Sequence, residues 1–193
     1  MVVPALTVTT ALLPAATAVV GVTFTVTVVP HLTSPATGSV VTVKAALLTK
    51  IEFTPPAKIV YKLGEAFEHS GMMTTAYYEG RSPRNVEASV IGFDANKLGK
   101  QDLTVSYTEG DVTKTAVLTV YVYELGDIDN DTHVDATDAL MALQLAANKI
   151  TVDAGQMKAA NVDGEGNVTA ADALMILKKA TGAINDFPRG TGE

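Results

Sequence analysis

Cysteine and tryptophan are both missing from the 193 residues. Without cysteine the chain has neither disulfides nor thiolate metal sites, so its cores hold by packing and any metal must be met by oxygen or imidazole. Histidine is scarce: His31, His69 and His133 stand far apart and make no zinc-type spacing. No Gly-x-Ser-x-Gly run and no glycine-rich phosphate loop occurs, which removes two common signatures of catalysis. Acids are absent from the first fifty positions, where Lys44 and Lys50 are the only charges. A long uninterrupted apolar run is lacking as well. Residues 1–20 are apolar, but Pro4 and Pro14 break them and no basic stretch precedes them. Neither a membrane span nor a secretory leader is therefore expected within this chain.

What is present is unevenly spread. Residues 124–193 carry twelve acids against five bases, whereas residues 51–123 carry nine against seven. So acidic a surface is a poor partner for nucleic acid. Eight of the twelve acids belong to a duplicated stretch. Asp127-Ile-Asp-Asn-Asp-Thr-His-Val-Asp-Ala-Thr-Asp138 recurs 34 positions later as Asn161-Val-Asp-Gly-Glu-Gly-Asn-Val-Thr-Ala-Ala-Asp172. Each copy runs into Ala-Leu-Met-x-Leu, a helical apolar pattern. Oxygen side chains at positions 1, 3, 5, 9 and 12 are the ligand spacing of a calcium loop of the EF-hand type.

The first copy offers the carboxylates of Asp127, Asp129, Asp131 and Asp138, the main-chain carbonyl of His133, and Asp135 through a water. The second offers Asn161, Asp163, Glu165 and Asp172, with the carbonyl of Asn167. Two calcium ions are expected, because carboxylates this close repel one another without a cation. Five carboxylates against three favour the first loop. Thr132 counts against it: position 6 needs a positive φ, which costs a β-branched residue roughly 1–2 kcal/mol, and the second loop has Gly166 there. The ranking of the two sites stays open. Position 12 is Asp in both copies, where a calcium sensor has Glu, and no strong helix is expected before either loop. Each is a loop–helix unit, half of an EF-hand.

Residues 1–50 are rich in Val, Thr and Ala. Strands are expected at Val22–Val29 and Ser39–Ala45, in a small β unit, a remnant of a preceding module, or a linker. Residues 51–123 read as short strands at Lys58–Tyr61, Met72–Tyr78, Val86–Phe93, Gln101–Tyr107 and Thr113–Val122, separated by glycine turns, which predicts a β-sandwich. The last strand leads into the repeat with almost no linker, so a packed joint is expected. Tyr61-Lys-Leu-Gly-Glu65, Gly71, Tyr78-Glu-Gly80, Gly92-Phe-Asp94 and Gly99-Lys-Gln-Asp-Leu-Thr-Val-Ser-Tyr107 resemble bacterial immunoglobulin-like domains. The resemblance implies a spacer or stabiliser. A carbohydrate-binding role would need an exposed aromatic platform, and the alternation of the tyrosines favours core packing instead.

The C-terminal part resembles the dockerin family, type I-like, whose members attach enzymes and other proteins to cellulosome scaffolds. The matching residues are Leu125-Gly-Asp-Ile-Asp-Asn-Asp131, Val134, Asp138-Ala139, Ala159-Ala-Asn-Val-Asp-Gly-Glu-Gly-Asn-Val168, Asp172-Ala-Leu174 and the ending Gly182-Ala-Ile-Asn-Asp-Phe-Pro188. The expected architecture is therefore multidomain. A β-rich segment (1–50) precedes an all-β immunoglobulin-like sandwich (51–123), which is followed by a small all-α dockerin (124–193) with two calcium loop–helix motifs. The resemblance implies a cohesin partner on a scaffoldin or cell-surface anchor, a secreted, extracellular location, and no catalysis of its own. No membrane insertion or homo-oligomer is required. The alternative readings are the C-terminal part of a polysaccharide-degrading enzyme, such as a glycoside hydrolase, or a calcium-stabilised adhesin.

On the first helix, Ala139, Leu140, Leu143, Ala146 and Ala147 make an apolar stripe expected to face the second helix. Thr137, Met141, Gln144 and Asn148 make an outward one, repeated as Ala171, Met175, Lys178 and Gly182. Exposed Met suits an adaptable binding surface, and core packing is the competing reading for these Met. The resemblance places recognition at Ala136, Thr137 and Gln144, and at Ala170, Ala171 and Lys178. The duplication permits two orientations of the partner. Gln144 against Lys178 and Leu145 against Lys179 weaken that symmetry, so one preferred orientation is expected.

Overall fold

The computed structural model describes residues 24–27, 40–43 and 46–187. In the N-terminal segment, β1 (Phe24–Thr27) and β2 (Val40–Val43) pair antiparallel, Phe24 opposite Val43. The sandwich is built from seven strands: β3 (Leu47–Thr54), β4 (Val60–Lys62), β5 (Met73–Glu79), β6 (Arg81–Val86), β7 (Ser89–Ile91), β8 (Gly99–Glu109) and β9 (Val112–Tyr123). One sheet has the order β3-β5-β6 and the other β4-β9-β8-β7. β4 runs parallel to β9, Val60 beside Tyr121, while the remaining pairs are antiparallel. Between the sheets lie Leu48, Ile51, Tyr61, Ala76, Leu103, Val105, Leu118, Val120 and Val122. Tyr61 is wholly buried, edge-on to Phe93 at 5.1 Å between centroids, and its hydroxyl donates to the Lys58 carbonyl at 2.8 Å.

Two expectations are corrected here. The boundary at residue 50 falls inside β3, whose Leu48 and Ile51 belong to the sandwich core. A bulge between Leu48 and Lys50 sets these inward residues three apart, so the alternation that marks a strand is broken. The single strand expected over Val86–Phe93 is divided. β6 ends at Val86 in one sheet, and β7 begins at Ser89 in the other. β6 is an exposed edge strand with two arginines and Pro83, residues that guard an edge and hide it from a hydrophobic pattern. All six tyrosines are buried or half-buried, so among the described residues the sandwich shows no exposed tyrosine platform.

Behind β9 come α1 (Ala136–Ala146), α2 (Ala154–Ala160) and α3 (Ala170–Ala180). Each begins in a capping box, from Asp135, Asp153 and Thr169 respectively. α1 packs on α3, and α2 packs on β9 with β4 and β8 beside it. The expected packed joint is thus present. No strong helix was expected before the second loop, and the one that precedes it is short: α2 has seven residues, with Asn161 as its C-cap. The helical core is Ile128, Ala139, Ala142, Leu145, Ala159, Ala160, Val162, Ala173, Ile176 and Phe187. Phe187 closes it over Gly126: a Cβ there would stand 2.6 Å from the Phe187 ring. Pro188 lies outside the described residues.

Candidate calcium loops and the groove between α1 and α3

The first loop gathers its acids. Carboxylate oxygens of Asp127, Asp129 and Asp131 lie within 4.8 Å of one another. The main chain is wound to hold them there. Asp127 Oδ2 accepts from Thr132 N at 2.9 Å and its Oδ1 from Asp131 N at 3.2 Å. Asp129 Oδ1 accepts from Asp131 N at 3.1 Å, and Asp131 Oδ1 from His133 N at 2.8 Å. The winding requires left-handed backbone at Asn130 (φ +64°) and Thr132 (φ +77°), the strain expected at position 6.

Asp138 and Asp172 close their loops identically. Asp138 Oδ1 accepts from Ile128 N at 2.7 Å and Oδ2 from Asp135 N at 2.9 Å. Asp172 repeats this with Val162 N at 3.0 Å and Thr169 N at 2.8 Å. Both carboxylates are buried. Asp135, expected to reach an ion through water, caps α1, accepting from Thr137 N at 2.6 Å, and that bond holds its carboxyl below the ordinary range. His133 turns its ring to solvent.

The electrostatics of loop 1 call for a cation. Burial pushes the Asp127 carboxyl up against the hydrogen bonds that lower it, with Asp138 adding repulsion, and burial and Asp138 also raise Asp129. Among the described residues the Lys and Arg salt bridges all lie in the sandwich. Buried carboxylates with no basic partner, crowded with two more acids on oxygen-only ligands, fit a hard divalent ion.

Loop 2 is wound alike, with Gly164 and Gly166 at φ +77° and +57°. Its positions 1, 3 and 5 hold two acids, Asp163 and Glu165, beside Asn161. The amide of Asn161 is turned inward, accepting from Gly164 N at 2.8 Å and donating to the Gly166 carbonyl at 3.1 Å. Asp163 accepts from Glu165 N at 2.8 Å, while Glu165 and Asn167 face solvent.

The duplication extends to a surface. A groove of about 310 Å³ lies between α1 and α3, lined in equivalent pairs by Ala136 and Ala170, Ala139 and Ala173, Leu140 and Leu174, Leu143 and Leu177. Its four leucines are exposed, from 41% for Leu177 to 54% for Leu140.

Residues 125–180 match the dockerin type I domain, and residues 54–122 the bacterial Ig-like domain of group 3. The chain carries a type I dockerin behind a bacterial Ig-like domain. Neither domain is catalytic. Two solved complexes from Acetivibrio cellulolyticus contain similar chains. One, of the third cohesin ScaC with the ScaB dockerin mutated in its N-terminal helix, is 29% identical, covering 36% of this chain and 99% of that one, with a TM-score of 0.35. The other, mutated in the C-terminal helix, is 31% identical, covering 34% and 93%, with a TM-score of 0.33. No curated protein matches the chain. Among the described residues no helix is long and apolar enough to cross a membrane.

The helix faces match the expectation in part: Ala139 is buried and Thr137, Asn148, Ala171, Lys178 and Gly182 are exposed, but the leucines and methionines depart from it. The stripe expected to meet the other helix contains Leu140 and Leu143, yet the buried side of α1 is Asp138, Ala139, Ala142 and Leu145. Asp138 is anchored in its loop, and the residues stacked over it, Ala142 and Leu145, turn inward with it. Met141 and Met175, expected outward, are half-buried against the core. Of the residues expected to meet a partner, Ala136 and Ala170 line the groove. Thr137, Asn148, Ala171 and Lys178 are exposed outside its lining, and Gln144 is half-buried. The exposed leucines were not among the residues expected to meet a partner. Their signal was available, since Ala-Leu-Met-x-Leu repeats at both sites.

Proposed function

We propose that the dockerin binds a cohesin domain in a calcium-dependent manner and so anchors its parent protein to an extracellular scaffoldin or cell-surface protein, with the Ig-like domain as spacer and stabiliser. The observation that carries this reading is the α1/α3 groove. Four leucines left in water around one concave apolar surface are costly for an isolated domain and suit a protein interface. Calcium at loop 1 neutralises Asp127, Asp129 and Asp131, and at loop 2 Asp163 and Glu165 with help from Asn161. The ions join each loop to the helix after it, and the two helices form the groove. The pairwise identity of the lining lets a partner seat in either of two orientations, and Gln144 against Lys178 biases the choice from the rim.

The test is calorimetric titration of the whole chain against a panel of purified type I cohesins, with calcium and with a chelator. Binding by at least one cohesin that disappears on chelation supports the reading. Silence across the panel, or binding indifferent to chelation, rejects it.

A further inference from the structure

Seven residues are too few for a helix to hold itself in water, so α2 owes its form to what it touches. On one side it touches the sandwich. Gly155 is buried so close to β9 that a Cβ there would stand 2.9 Å from Tyr121 Cβ. On the other side it touches the first calcium loop. Gln156 Nε2 donates to the Ile128 carbonyl at 2.9 Å, and Gly126 N donates to the Ala159 carbonyl at 2.9 Å. These two bonds grip the chain on either side of Asp127, the first ligand of the loop. The sandwich reaches the loop directly as well: the Asn130 side chain lies 3.8 Å from where a Gly99 Cβ would be, and a bridge pairs Glu124 with Asp127 as β9 ends. Loop 2 follows α2 directly, with Asn161 as the C-cap, whereas the two bonds that bracket Asp127 belong to loop 1.

We infer that the Ig-like sandwich, acting through α2, is a positioning element for the first calcium loop, so that separating α2 from β9 weakens calcium binding at loop 1 more than at loop 2. This rests on the calcium reading above. The physical reason is that a ligand held in place before the ion arrives loses less freedom on binding. Asp127 is held by main chain that α2 clamps, and α2 is held by the sheet.

The experiment titrates calcium into the whole chain in two backgrounds. Asp163→Ala leaves loop 1 to be measured, and Asp127→Ala leaves loop 2. Into each go Gly155→Leu, which wedges α2 off the sheet, and separately Tyr121→Ala, which removes the ring beneath it without altering α2. Both are expected to weaken loop 1 by about tenfold or more, the usual scale for removing the support behind a metal ligand. Loop 2 should change less, and hydrogen exchange of the α2 amides should quicken. Loop 1 affinity within about twofold of its background in both variants, or equal losses at the two loops, overturns the inference. Calcium uptake by the parent chain, measured first, separates the two failures: a parent that takes up no calcium overturns the calcium reading itself and this inference with it.

Discussion

At the scale of single residues, two side chains carry measurable consequences. Thr132 sits at φ +77° where the equivalent Gly166 sits at φ +57°. Replacing Thr132 by Gly removes the clash of a β-branched residue in this region, against the greater freedom glycine gains on unfolding. The balance favours the variant by about 0.5–1 kcal/mol, seen as a higher midpoint in thermal unfolding, and a lowered midpoint would contradict it. Glu109 is the hub of a cluster on the sandwich. It accepts from Tyr78 Oη, from Arg81 Nη2 at 3.2 Å and from Arg84 Nη2 at 3.0 Å. Burial pushes its carboxyl up, but these hydrogen bonds outweigh burial and hold it below its usual range. The folded state therefore favours the ionised form. Its stabilisation is complete above the ordinary value of 4.5 and lost as pH falls through the lowered one. Glu109→Gln should cost about 0.5–1 kcal/mol at neutral pH after solvent screening. Denaturant melts should show the deficit shrinking below about pH 4.5, and a deficit independent of pH would refute the ionic account.

At the scale of elements, the rotation of α1 and α3 decides which apolar side chains do which work. Leu140→Asp or Leu174→Asp places a charge in the groove while leaving the core untouched. Each should weaken cohesin binding by about tenfold or more, with unfolding little changed. Met141→Ala should behave oppositely, lowering stability by about 1 kcal/mol through lost packing while leaving affinity intact. If Met141→Ala impaired binding as much as Leu140→Asp, the assignment of faces would be wrong. The loops, the duplication and the strands of β4, β5, β8 and β9 were legible in the sequence. β3 and β6 were not, since a bulge at Thr49 and the polar residues of an edge strand both erase the period-two pattern. α2 escaped because a seven-residue helix leaves too short a periodic signal, and its helicity comes from contacts made far away in sequence.

At the scale of the whole molecule, the two ends of the dockerin are closed on each other. Gly126 has φ +89°, and a Cβ there would meet Phe187 Cζ at 2.6 Å and Val134 Cγ1 at 3.0 Å. Gly126→Ala combines a strained backbone with a displaced ring and should destabilise the domain by about 2–4 kcal/mol. Thermal denaturation would show it, and a variant as stable as the parent would mean that Phe187 closes nothing. The same region joins the two domains, because Gly126 also bonds to α2, and α2 lies on the sheet.

The sequence by itself determined the two loops, the 34-residue spacing between them and the Asp at position 12 of each. Ligand spacing is a property of local chain geometry, so it can be read without a fold. Only the tertiary structure decided which helix faces meet. Ala136–Ala146 is apolar nearly all round, with Thr137, Asp138 and Gln144 its only polar residues. Such a pattern fixes a helix but not its rotation. The burial of Asp138 in its loop and the packing of α1 on α3 set that rotation, and they leave the four leucines in a single exposed groove.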